Sequence, residues 1–153
     1  MQTRVKTKSE IKAMRESGRM LATVLEALKP QVVPGVSTKE LADFAAAELR
    51  TLGGEPAFKG YQGFADVICI SVNEQVVHGI PNKEKTIKSG DIVRLDFGVR
   101  YKAMITDSAI SVIAGTPKQE EHIELVKNTE IAMHRCINAV HDQVRTGDIG
   151  EPI

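Results

Sequence analysis

Apolar residues near the start of the chain recur every three or four positions. Ile11, Met14, Leu21, Val24, Leu25 and Leu28 share one stripe with Gly18, the period of an amphipathic helix. Thr7 followed by Glu10 forms a capping-box start, and Pro30 lies just past the expected end. "VVPGV" then turns the chain. Ser37 and Glu40 repeat the capping box ahead of "TKELADFAAAELRTL", a second helix closed by Gly53-Gly54. The pattern then changes to β-rich. "ADVICISVN" reads as a strand and "EQVVHGIPN" as a short strand and loop. "TIKSGDIVRLDFGV" reads as a glycine turn and a strand, and "AMITDSAISVIAG" as another strand. Thr116-Pro117, with Gln119 three residues after the threonine, opens a long helix with apolar Ile123, Val126, Met133, Cys136, Ile137 and Val140. This order predicts an α+β fold, an antiparallel sheet covered by helices.

Composition narrows the function classes. With 153 residues, 42% apolar and 26% charged, the chain can bury a real core. Lys plus Arg and Asp plus Glu both number 20, so no basic nucleic-acid surface is expected. No apolar run approaches bilayer length, and "MQTRVKTKSEIK" has no apolar signal core. Cys69 and Cys136 lie far apart, without metal-finger spacing, as in a protein of the reducing cytoplasm.

The two ends of the sequence resemble each other. With a shift of 112 residues, "ALKPQVVPGVSTKEL" at Ala27 aligns with "AVHDQVRTGDIGEPI" at Ala139. Upstream, Ile11 meets Ile123, Leu21 meets Met133 and Leu25 meets Ile137. The expected unit is helix, turn, helix and strands, complete over about 7–115 and beginning again over about 116–153. On this reading residues 1–153 are one incomplete domain, the second copy stopping where its second helix should begin.

Two acids stand out in "RLDFGVRYKAMITDS". A hairpin turning at Tyr101-Lys102 would set Asp96 directly opposite Asp107, on one face. Like charges so placed either meet cations such as Arg94, take up a proton, or gather a metal ion. Carboxylates without clustered thiolates favour hard or borderline divalent ions, and a pair suits a two-metal site. In "SVNEQVVHGIPN", Gly79 and Pro81 fix the loop that carries His78, a residue able to move a proton near neutrality or to hydrogen-bond a substrate. The remaining histidines, His122, His134 and His141, read as solvated residues of the last helix. Cys69 reads as a small packed residue.

"CISVNEQVVHGIP", "DIVRLDFGV" and "TDSA", together with the opening "IKAMRESGRMLATVLEALKPQVVPGVSTKEL", resemble the first half of a type I methionine aminopeptidase of the M24 family. The resemblance implies the pita-bread fold, two pseudo-symmetric α+β halves, of which the second is truncated here. It implies metal-dependent removal of the initiator methionine from nascent polypeptides in the cytoplasm, at the ribosome, by a protein that is usually monomeric. Two divalent ions (Co, Mn or Fe(II)) are implied, Asp96 chelating one and Asp107 bridging both. His78 is implied to be catalytic, contacting the scissile amide, and Tyr61, Phe64 and Cys69 to line the methionine pocket with it. Phe58 stands where the family commonly has cysteine, and Asp66-Val67 also depart from its usual residues. The general-base glutamate, a histidine ligand and two glutamate ligands of the family's second half have no counterpart in these residues, so the chain alone is expected to be weakly active or inactive. Two alternatives share the fold: an Xaa-Pro-type aminopeptidase, and a non-catalytic module that binds a protein partner. Retention of His78, Asp96 and Asp107 favours catalysis.

Overall fold

The structure is a computed structural model that describes residues 5–153, so the first four residues of the polar N-terminal stretch lie outside it. It divides into two compact units, Met1–Thr116 and Pro117–Ile153. Among the described residues no helix is long and apolar enough to cross a membrane.

Both helices of the first unit start where the capping boxes place them. Helix α1 spans Lys8–Leu28 and α2 spans Thr38–Leu52. At α1, Thr7 Oγ1 accepts from the Glu10 amide at 3.3 Å, and Glu10 Oε2 accepts from the Thr7 amide at 2.8 Å. At α2, Ser37 Oγ accepts from the Glu40 amide at 3.2 Å and Glu40 Oε2 accepts from the Ser37 amide at 2.8 Å. Gly53 ends α2 in the left-handed region, φ 76°, which a side chain would disfavour. Ser37 is buried, so Ser37→Ala is expected to cost about 1 kcal/mol in urea unfolding. The bonds from Ser37 hold the Glu40 carboxyl below its ordinary value of 4.5. A depressed folded value stabilises above the unfolded one and fades as pH falls through the folded one. The stability difference between the protein and Glu40→Gln is therefore expected to be full at neutral pH and to vanish in acid below 4.5.

The stripe of α1 is shifted from the sequence reading. Ile11 is 42% exposed, whereas Ser17 is buried. Its hydroxyl donates to the Val99 carbonyl at 2.9 Å and lies 2.8 Å from Thr106 Oγ1, fastening the helix to two strands. A small polar residue with both bonds satisfied fits a tight helix–sheet contact better than isoleucine.

The sheet has strands β1 (Glu55–Pro56), β2 (Ile68–Val72), β3 (Ile92–Tyr101) and β4 (Met104–Ile113). All pairings are antiparallel, with β1 and β2 on one side of β3 and β4 on the other. Val93, Leu95, Phe97 and Val99 are completely buried, in one core with Val24, Leu28, Leu41 and Leu49 from the helices. Each such side chain contributes roughly 1.5–3 kcal/mol. A one-residue slip would expose all four and drive Asp96 into the core, so the facing of β3 is fixed.

The hairpin corrects the expected register. Its two central residues are Lys102 and Ala103, with φ 47° and 64°, so the turn lies one residue further along than expected. Gly98 then opposes Asp107, and Asp96 opposes Ala109. Paired positive φ values are what a tight hairpin turn needs, and Tyr101 packs against the core instead of entering the turn. The resulting two-residue offset preserves parity. The acids stay on the same face as diagonal neighbours.

"EQVVHGIPN" forms no strand. Asn73 and His78 take positive φ, 54° and 57°, which breaks extended pairing at both ends of the segment.

In the second unit, α3 spans Glu120–Asn138 with Gln119 at its cap, and a short helix follows at Thr146–Gly150. The long helix thus begins later than Thr116-Pro117. The Thr116 amide is taken by Ser89 Oγ at 3.1 Å, which draws that residue to the edge of the first unit. His122 and His134 lie on α3, but His141 lies beyond its end. Helix α3 starts at Glu120, 112 residues after the start of α1 at Lys8.

Candidate metal and substrate site

The face of β3 opposite the core is the two acids' side of the sheet. Odd positions of this strand bury against the helices, so Arg94, Asp96 and Gly98 point the other way. Cys69 on β2 pairs with Asp96, and Asp107 on β4 pairs with Gly98, which brings all three to that face. Opposite Asp107 the missing side chain of Gly98 leaves room for an aromatic ring. A Cβ there would stand 2.5 Å from Phe58 Cε1.

Phe58 belongs to the loop between β1 and β2. Its ring meets Phe64 edge-on, centroids 6.4 Å apart. Gly60 and Gly63, both at φ 83°, with Gln62 at 47°, fold this loop back on itself and set Tyr61 outward, 68% exposed.

The histidine loop is wedged against β2. The Ile70 amide donates to the Gly79 carbonyl at 2.8 Å, and the Gly79 amide donates to Ser71 Oγ at 3.1 Å. Arg94 donates to the carbonyl of Val76 two residues before His78. Backbone contacts therefore place His78 beside the acids, in a left-handed conformation unusual for a non-glycine residue.

Burial is the main influence on the acids. It raises the Asp96 carboxyl above its ordinary value, Asp107 raises it further, and His78 and Arg94 pull it back. Burial also raises Asp107, while the bond from Asp96 works against that rise. Both carboxyls are thus held above the ordinary range, and as neighbours they titrate as a coupled pair. Burial, then the charges of Asp96 and Asp107, push the Cys69 thiol up to about 11, so it is a neutral packed group.

Tyr61, Phe64, Cys69, His78, Asp96 and Asp107 all line one cavity of about 480 Å³. Phe58, Gln62, Gly63 and Ile80 complete the lining. Ile80 was not singled out from sequence, although its place in "HGIP" beside His78 was the available signal. Gln62 carried none, because its role follows from a backbone angle. Two adjacent carboxylates that desolvation disfavours as charges suit a divalent cation, which would relieve the same cost. They supply only part of a coordination shell: among the described residues no group of three or more His, Cys, Asp or Glu could hold a metal ion.

A carboxylate pair and a histidine thus meet on the open face of a helix-backed sheet. The chain belongs to metallopeptidase family M24, whose model matches residues 12–153. It is 41% identical over 150 residues to the methionine aminopeptidase of Aquifex aeolicus, covering 94% of this chain and 58% of that protein. The methionine aminopeptidase structure from Thermotoga maritima superposes with a TM-score of 0.96 at 37% identity, over 99% of this chain and 61% of that one. The fold is therefore the first part of the pita-bread fold, and the chain spans about three fifths of the length of these relatives. A prolidase from Pyrococcus furiosus, at 21% identity and TM-score 0.83, shares the fold alone.

Proposed function

We propose that the protein carrying this chain removes N-terminal methionine from nascent polypeptides. The observation that carries this reading is the convergence of six residues, named from sequence, on one cavity of an M24 chain. Tyr61, Phe64 and Cys69 form an apolar wall for an unbranched thioether side chain, for which aromatic rings are good partners. His78, rigidly seated next to the acids, hydrogen-bonds the scissile amide. Asp96 would chelate one divalent ion and Asp107 would bridge two, of the Co, Mn or Fe(II) kind. Ions held there would act as Lewis acids toward the carbonyl and lower the pKa of bound water. The remaining ligands come from a second half. Residues 7–115 are proposed as the first repeat and 116–153 as the start of the next, in keeping with the 112-residue offset of α1 and α3. Action in the cytoplasm, at the ribosome and as a monomer, belongs to the same proposal.

The test is hydrolysis of a Met-Ala-Ser peptide, with an Xaa-Pro peptide as control, by the protein carrying this chain. With Co(II) or Mn(II), methionine release is expected from the first peptide only. Metal-independent or absent release removes the proposal, and cleavage confined to the Xaa-Pro peptide selects the alternative. The 153 residues alone are expected to show weak or no turnover.

A further inference from the structure

The aromatic loop between β1 and β2 rests on Gly98 through Phe58 and is tied at its two ends. Its own amides bond within it, Gly60 to the Phe64 carbonyl at 2.8 Å, Tyr61 to that of Phe58 at 2.9 Å and Phe64 to that of Tyr61 at 2.9 Å. At its start the Ala57 amide reaches the Gly98 carbonyl at 2.9 Å. At its end it is tied by a side chain. Asp66 Oδ2 accepts from Lys39 Nζ of α2 at 2.7 Å, and Asp66 Oδ1 accepts from the Val67 amide at 2.8 Å.

Three features set this ion pair apart from the surface pairs of α1. Asp66 is 9% exposed, so removing Lys39 would leave a buried carboxylate without its cation. Lys39 sits in the first turn of α2, where the helix dipole disfavours a cation, and Asp66 with Asp43, 3.0 Å away, offset that. The Asp66 bond is also the largest influence raising the Lys39 pKa, against the lowering by burial.

We infer that Lys39 and Asp66 form a latch that holds the aromatic loop over the cavity, with Lys39 as a positioning residue for Tyr61 and Phe64. Its meaning for substrate selection rests on the proposed function; the latch itself does not.

Amide hydrogen exchange on the full 153-residue chain tests it. Lys39→Met removes the cation. Asp66→Asn removes the charge but keeps an oxygen for the Val67 amide. Each is expected to speed exchange of the Gly60, Tyr61 and Phe64 amides about tenfold, with the Leu95 and Phe97 amides unchanged. The double variant should be no faster than either single one, and Lys39→Arg should retain protection. Unchanged exchange in the loop, additive effects, or equal acceleration in β3 would each overturn the latch. The measurement needs no substrate, so it is read independently of peptide hydrolysis.

Discussion

Replacing Gly79 by alanine should lower stability by about 3 kcal/mol or more, because the new methyl group would meet backbone and not a movable side chain. Its Cβ would stand 2.2 Å from the Ile70 carbonyl oxygen and 2.9 Å from the Ser71 Cα. Either the loop lifts off β2, breaking the Ile70 and Gly79 bonds, or β2 moves within the core. For a chain of this size the loss corresponds to a fall in Tm on the order of 10 °C. Calorimetry on the purified variant reads it directly. An unchanged Tm would show that His78 is not wedged in place as described.

Asp107→Asn should act in opposite directions on stability and on activity. In the metal-free chain it removes one of two neighbouring carboxylates that desolvation already disfavours as charges, Asp96 partly buried and Asp107 more open, so the variant is expected to melt no lower than the parent. In the protein carrying this chain, methionine release should fall on the order of a thousandfold or more. Loss of a bridging ligand exceeds the ~10–100-fold typical of outer-shell partners. Mn(II)-dependent peptide hydrolysis and a thermal scan of the same sample check both halves. Retained activity would contradict the bridging role. Marked destabilisation would contradict the burial argument.

The parts of this molecule legible in sequence are those with a local cause. Thr7 with Glu10 and Ser37 with Glu40 fixed two helix starts because a capping box is complete within four residues. Asp96 and Asp107 were placed on one face correctly, although their register was wrong by two, since alternation reports parity and not alignment. What decided alignment was the pair of left-handed residues at Lys102 and Ala103, neither of a type that announces such a turn. The same blindness to backbone angles turned "EQVVH" into a strand. Lys39 and Asp66, 27 positions apart, left no trace, because an ion pair between a helix and a loop has no period. His78 was singled out by its Gly-Pro loop and the aromatic residues through resemblance; the wedge at Gly79 that seats the histidine is a property of the packed chain.

The outward placement of Tyr61 carries a spectroscopic consequence. The chain has no tryptophan and two tyrosines, so its ultraviolet emission comes from Tyr61 and Tyr101. Tyr101 is half-buried at the hairpin with the Lys102 ammonium 5.3 Å from its ring centre, whereas Tyr61 stands in solvent at the cavity mouth. Quenchers dissolved in water reach the second far more readily than the first. The unlabelled protein thus carries its own optical reporter at the mouth of the cavity.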